Sequence, residues 1–311
     1  MTNPQQTQSY LRNLFEERAL EPKKKLGQSF LIDLNLLDLL VQAAELTEDD
    51  IVVEVGTGTG SLTARLAQGV GAVLGVEIDP AFFELTREAT DRYKNVFLLH
   101  EDALKGKNEL HPRLLGALQD VLRRTNCEPG AEPPCPLKLV ANLPYAIATP
   151  LVANLLLTDL PFERMVVTVQ WEIAERLAAR PGTKDFGALS VLMQSIAEVE
   201  ILRRLPPTVF WPRPQVASAF VLIKPNAKKR QHVGDVTRFR NFLRDLYVHR
   251  RKNLRGALAG MPSGRRSKEE VDRRLAELGI DGRVRAETLD VEQHLRLCAA
   301  FGEWVSDEPE A

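Results

Sequence analysis

Four consecutive residues, Asn142-Leu143-Pro144-Tyr145, carry the most specific chemistry in the chain. An exocyclic amine on a purine is a poor nucleophile because its lone pair is delocalised into the ring. The side-chain oxygen of Asn142 and the backbone carbonyl of Leu143 can each accept one N–H of such an amine. Two acceptors set off the ring plane favour a pyramidal nitrogen, free its lone pair and stabilise the positive charge that develops on it. Pro144 restricts the backbone that aims the Leu143 carbonyl, and Tyr145 offers a face on which a flipped base can stack. This suits methyl transfer from a sulfonium, an electrophile already activated. In-line alignment then carries much of the acceleration, and neither a metal nor a strong general base is required. The plainer reading of the same four residues is a strand-ending turn.

Upstream, Gly56-Thr57-Gly58-Thr59-Gly60 follows an apolar run and opens a helical one. Glycines there permit a tight turn and a close backbone approach to a ligand. The spacing is not that of a dinucleotide site, and no phosphate-binding lysine follows, so the turn alone is equally a plain strand-to-helix connection. Two acids sharpen it. Glu77 ends the next apolar run and suits a ribose diol; Asp102 ends the one after and can accept from an adenine amino group. Read singly, either acid is a helix cap or a solvated loop residue. His100, His111, Cys127 and Cys135 fit no standard zinc spacing, so no metal is expected.

These residues must be positioned by alternating strands and helices. Strands are expected at Ile51–Val55, Ala72–Ile78, Val96–Leu99, Leu137–Ala141, Met165–Val169 and Ala219–Lys224. Helices are expected within 1–20 and over Leu34–Leu46, Leu62–Ala67, Pro80–Arg92, Pro150–Leu157 and Glu172–Ala179. Apolar, non-alternating strands separated by helices imply a parallel sheet covered on both faces. Ligands of such sheets bind at the carboxyl ends of the strands, where Gly56, Glu77, Asp102 and Asn142 all fall. Residues 105–136 hold a helical piece and then a proline-rich stretch, and read as a surface insertion. After Pro225 the pattern turns helical, which predicts two domains, 1–225 and 226–311.

The chain has 311 residues, 44% hydrophobic and 27% charged, a balance that excludes wholesale disorder. It has no run long enough for a membrane span. Three cysteines are too few for a disulfide framework, and the N-terminus lacks a signal-peptide pattern, so a cytoplasmic location is expected. The net charge is -1, yet residues 226–300 hold 18 Lys and Arg against 10 Asp and Glu, a local balance of +8. A basic end on a near-neutral chain points to a polyanionic partner. Arg250, Arg251, Lys252 and Arg255 are the expected phosphate contacts, with Lys24 and Lys25 as weaker candidates. An exposed helix face is the alternative.

With these motifs in order, the sequence resembles the KsgA-type ribosomal RNA adenine dimethyltransferase family, from about Lys23 to Phe301. The resemblance is carried by Lys24–Leu31, Glu54–Thr63, Val76–Asp79, Glu101–Leu104, Asn142–Tyr145, Phe186–Val191, Phe210–Val216 and Arg250–Arg255. It implies an α/β, Rossmann-like, seven-stranded S-adenosylmethionine-dependent methyltransferase fold with a smaller C-terminal all-helical domain. It implies dimethylation of the N6 amines of two adjacent adenosines near the 3′ end of small-subunit (16S) rRNA, within immature small ribosomal subunits, by a protein expected to be a monomer with no membrane contact. By position, Ser29 and Leu31 would line the cofactor pocket with Gly56, Gly58, Glu77, Asp102 and Asn142. Phe210 would face the target base opposite Tyr145, and the helical domain would dock on RNA. The sequence departs from the family pattern at Ser29, Thr57, Ala141, Trp171 and Ala217. A large-subunit rRNA adenine methyltransferase and a non-catalytic assembly factor are the rival readings. The Phe186–Val191 and Arg250–Arg255 motifs weigh against the first, and the intact Asn142–Tyr145 set against the second.

Overall fold

A computed structural model of the chain describes residues 7–23, 26–106, 109–125 and 136–302. They form two compact units, one of Met1–Ala174 with Glu200–Pro225 and one of Glu175–Val199 with Asn226–Ala311. The units divide between Pro225 and Asn226, but the first expected domain, 1–225, needs correction within itself. Glu175–Val199 belongs to the helical unit, because its helix packs on helices that follow Asn226.

The first unit is built on seven strands: β1 Ile51–Val55, β2 Ala72–Glu77, β3 Val96–His100, β4 Leu137–Ala141, β5 Phe162–Gln170, β6 Ala197–Leu205 and β7 Ser218–Pro225. Their order across the sheet is β3-β2-β1-β4-β5-β7-β6. The first five run parallel, with Val53 opposite Leu74, Val76 opposite Leu99, Ile51 opposite Leu137 and Ala141 opposite Val167. β7 departs from the all-parallel expectation and lies antiparallel to β5, with Phe220 opposite Thr168. Every residue of β1, β2 and β4 is buried, as a sheet covered on both faces requires.

Thirteen helices are described: α1 Gln8–Glu17, α2 Leu34–Ala43, α3 Ser61–Leu66, α4 Pro80–Thr90, α5 Pro112–Arg124, α6 Tyr145–Leu157, α7 Trp171–Leu177, α8 Ala188–Ile196, α9 Ala227–Val233, α10 Val236–Tyr247, α11 Leu254–Ala259, α12 Lys268–Leu278 and α13 Val291–Phe301. Leu37 and Leu40 of α2 and Leu62 and Leu66 of α3 share one core cluster with Val52, Val73, Val140, Val166 and Phe220 from five strands. A second cluster joins Leu11 and Phe15 of α1 to Phe30, Phe82 and Leu85. The Phe15 and Phe30 rings meet edge to face at 5.5 Å, a favoured aromatic geometry.

Two expectations fail here. The segment read as a surface insertion contains a short ribbon, Leu104–Gly106 with Glu109–Leu110, and then α5, which packs on β2 and β3. Leu114, Leu118, Val121 and Leu122 of α5 are buried, so this helix is part of the core. The proline-rich stretch after it, with Cys127 and Cys135, lies outside the described residues. Second, α6 begins at Tyr145 and carries Pro150 within it, rather than beginning at Pro150.

In the helical unit, α8 packs against α9, α10 and α13. His294 is fully buried. Its Nδ1 lies 2.7 Å from the Asp290 carbonyl, so it donates there, and its Nε2 accepts from the Tyr247 hydroxyl at 3.1 Å. The two rings stack with planes 12° apart. Burial pushes the imidazole down to about 4, only partly opposed by the Asp290 carbonyl, so it is neutral at physiological pH.

Candidate active site

At the carboxyl ends of β1 to β4 two clefts meet, sharing Leu26, Gly56, Glu77, Ile78 and Pro144 on their walls. The first also holds Ser29, Gly58, Asn142, Leu143 and Tyr145; the second adds Asp102 and Ala103. The glycine turn sits between them. Gly56 has φ +81°, and a Cβ there would lie 2.9 Å from Cδ of Pro144. Only glycine serves both the left-handed backbone and the contact. The turn after β1 is thereby pressed against the Asn-Leu-Pro-Tyr segment after β4.

Glu77 is buried, with one carboxylate oxygen accepting from the Gly58 N–H at 2.9 Å and the other from the Asp79 N–H at 3.0 Å. Burial raises its carboxyl above the usual range, while those two hydrogen bonds pull the other way. The Ile78 N–H adds a further bond to this carboxylate, which with about four acceptor sites in all still has capacity left. Asp102 accepts from the Leu104 N–H at 2.9 Å, which fixes its carboxylate in the second cleft.

Asn142 donates from Nδ2 to the Ser29 carbonyl at 2.9 Å, and no donor among the described residues is bonded to its Oδ1. The Ser29 hydroxyl donates to the Pro212 carbonyl at 2.8 Å. Tyr145 opens α6, and its hydroxyl lies 2.6 Å from the Ser218 hydroxyl at the start of β7. Burial raises the phenol above its usual range, with the Ser218 bond opposing.

Several residues in or around the clefts were not singled out as site residues by the sequence. Ile78 lies on both clefts and is 42% exposed, a large apolar side chain beside the acid that ends β2. Ser218 has no motif that marks it as a tyrosine anchor. Gln28 and Lys23 both reach Asp79, at 3.3 and 2.7 Å. Burial disfavours the Asp79 carboxylate, but Lys23, the Ala81 N–H and Gln28 together hold its carboxyl below the usual range. They tie the N-terminal basic segment to the start of α4. Ile78 was the one legible in principle, as an apolar residue directly after a strand-ending acid.

Four expected site residues stand elsewhere. Leu31 is 2% exposed and packs in the core cluster with α2. Phe210 is also 2% exposed in that cluster, its backbone paired with Leu31. An aromatic ring so enclosed anchors its loop and has no face for a base. Arg250 is engaged by Glu287 at 2.9 Å and by the carbonyls of Lys184 and Phe186. Arg255 grips Asp272 through two nitrogens, at 2.6 and 2.5 Å. Arg251 and Lys252 are exposed; Lys24 and Lys25 lie outside the described residues. Among the described residues no three His, Cys, Asp or Glu converge as a metal site.

The sheet order, the glycine turn after β1 and the acids ending β2 and β3 define a Rossmann-like S-adenosylmethionine-dependent methyltransferase, whose donor these clefts fit. The chain belongs to the ribosomal RNA adenine dimethylase family, whose profile matches residues 19–302. It is 38% identical to ribosomal RNA small subunit methyltransferase A of Geobacillus kaustophilus over 93% of this chain and 94% of that one. It is 37% identical to the protein of the same name from Ligilactobacillus salivarius, over 97% and 96%. Among solved structures, a dimethyladenosine transferase from Plasmodium falciparum superposes with a TM-score of 0.67 at 22% identity, covering 85% of this chain and 94% of that one. The 23S rRNA methyltransferase ErmE gives 0.60 at 23% identity, over 88% and 100%. At those identities the two structures speak for the fold alone.

Proposed function

We propose that this protein dimethylates the N6 amines of two adjacent adenosines near the 3′ end of small-subunit rRNA, acting as a monomer on immature small subunits in the cytoplasm. The observation that carries the reading is the seam between Gly56 and Pro144, which joins the donor-binding turn to the amine-binding segment in one cleft. S-adenosylmethionine supplies the methyl group as an electrophile that needs no further activation. Glu77 would accept from its ribose hydroxyls through the acceptor sites left free, Asp102 from its adenine amine, and Ile78 would cover the ring. The remaining work belongs to the chain around the target base. The Ser29 carbonyl holds the Asn142 amide so that Oδ1 is presented as an acceptor. Oδ1 and the Leu143 carbonyl then take the two N–H groups of the amine, and Tyr145, anchored through its hydroxyl, supports the flipped base.

Arg251 and Lys252, the exposed members of the basic cluster, would meet phosphates from the helical unit. Transfer of tritiated methyl groups from S-adenosylmethionine to small subunits lacking the modification tests the reading, with the labelled nucleotide then located in the rRNA. Wild-type protein is expected to label two adjacent adenosines. Asn142→Ala is expected to bind subunits yet lose at least ~100-fold in rate. Label in large-subunit rRNA, or binding with no transfer by the wild type, would refute it.

A further inference from the structure

Trp171 stands immediately past β5, at the carboxyl edge of the sheet from which Asn142–Tyr145 leaves the neighbouring β4. Its backbone N–H donates to the Ala217 carbonyl at 2.9 Å. One step down the ladder Gln170 pairs with Ser218, whose hydroxyl anchors Tyr145 at 2.6 Å. The Trp171 backbone is therefore fixed between two strands, one residue along from the pair that includes the tyrosine's Ser218 anchor. The indole is half-buried, and Arg204, exposed on the edge strand β6, sets its guanidinium 4.6 Å from the ring centroid. Among the described residues no acid is paired with Arg204. A structural ion pair would have supplied one.

An arginine lying on an indole, uncompensated by a carboxylate and placed at the rim of a site for a nucleic-acid base, combines the two interactions that bind single-stranded nucleic acids. Aromatic stacking tolerates any base, and the cation adds attraction to both ring and phosphate. A flipped adenosine must also leave the stack of its neighbours, so the adjoining nucleotide needs a new surface. We infer that Trp171 and Arg204 form a stacking platform for a nucleotide flanking the one that enters the Asn142–Tyr145 site. This rests on the rRNA reading above, and it adds a second contact that holds the strand while the target base is displaced.

The test compares steady-state methyl transfer to purified, unmodified small ribosomal subunits by wild type, Trp171→Ala, Trp171→Phe and Arg204→Gln. Trp171→Ala is expected to raise KM for subunits about tenfold, the scale of one lost base–aromatic stack. Its kcat and its calorimetric Kd for S-adenosylmethionine should stay at the wild-type values. Trp171→Phe should return KM to within about twofold, because a phenyl ring still stacks. Arg204→Gln, at an exposed position that leaves the core intact, should raise KM and flatten its dependence on salt. An unchanged KM in folded Trp171→Ala overturns the inference. Should Trp171→Ala fail to fold, an unchanged KM in Arg204→Gln does so instead. A wild-type protein that methylates no subunit overturns the rRNA reading, and that arm alone separates the two failures.

Discussion

Tyr145 is held at both ends, by Pro144 before it and by Ser218 at its hydroxyl. The ring cannot swing without breaking a hydrogen bond in a buried setting. Ser218→Ala leaves that phenol without its partner, which costs about 1–3 kcal/mol. The expected outcome is a lowered unfolding midpoint in denaturant together with a lower kcat, while KM for S-adenosylmethionine is unchanged. Tyr145→Phe should keep most of the stacking surface and lose less rate than Tyr145→Ala. Asn142 and Glu77 stood out in the sequence jointly, as polar groups at successive strand ends, and the structure brings both to the wall of one cleft. The place of Phe210 was not legible, since a sequence carries no sign of which side of a ribbon an aromatic ring will take. Pairing with Leu31 turns it into the core.

At the scale of elements, the glycine turn and the segment after β4 behave as one part. Gly56→Ala would place a methyl 2.9 Å from a proline ring on a backbone at φ +81°. The left-handed conformation alone costs roughly 1–2 kcal/mol for a residue with a Cβ, and the proline would have to move. The variant is expected to bind S-adenosylmethionine measurably more weakly by calorimetry and to lose methyl transfer beyond that weakening, because Asn142 moves with Pro144. The five parallel strands announced themselves as short, mainly apolar runs without strict alternation, with Glu54 and Lys138 among the charged residues inside them. β6 did not: Ala197–Leu205 alternates only as far as Ile201, carries Glu198, Glu200, Arg203 and Arg204, and is buried only at its ends, as an edge strand can be. α5 was legible as a helical piece but misplaced: the proline-rich stretch after it gave the whole segment a surface reading, whereas its apolar stripe is buried in the core.

For the whole molecule, the two units answer to different tests. His294 has its conjugate acid pushed down to about 4 from 6.5. The unfolded chain therefore binds the proton first as pH falls, so stability is lost between about pH 6.5 and 4 and is fully present above that window. The displacement corresponds to on the order of 3 kcal/mol. The helical unit should melt earlier at pH 5 than at pH 7.5, and His294→Phe should reduce that difference in a calorimetric scan. RNA binding divides the basic cluster in two. Arg251→Ala and Lys252→Ala are expected to weaken subunit binding and to lower its salt slope by about one each. Arg250→Ala is expected to lower the melting temperature instead, because it removes the tie to Glu287 and to two carbonyls.

The polypeptide visits the helical unit twice, first for α8 and again after Pro225. On a translating ribosome α8 is made before α9, α10 and α13, so its apolar face waits through the synthesis of two strands for the partners that cover it. A fragment stopping at Pro225 would carry that face bare and should aggregate, and one starting at Asn226 would lack the helix its interior is built around. The two halves of this enzyme are not separable by a single cut.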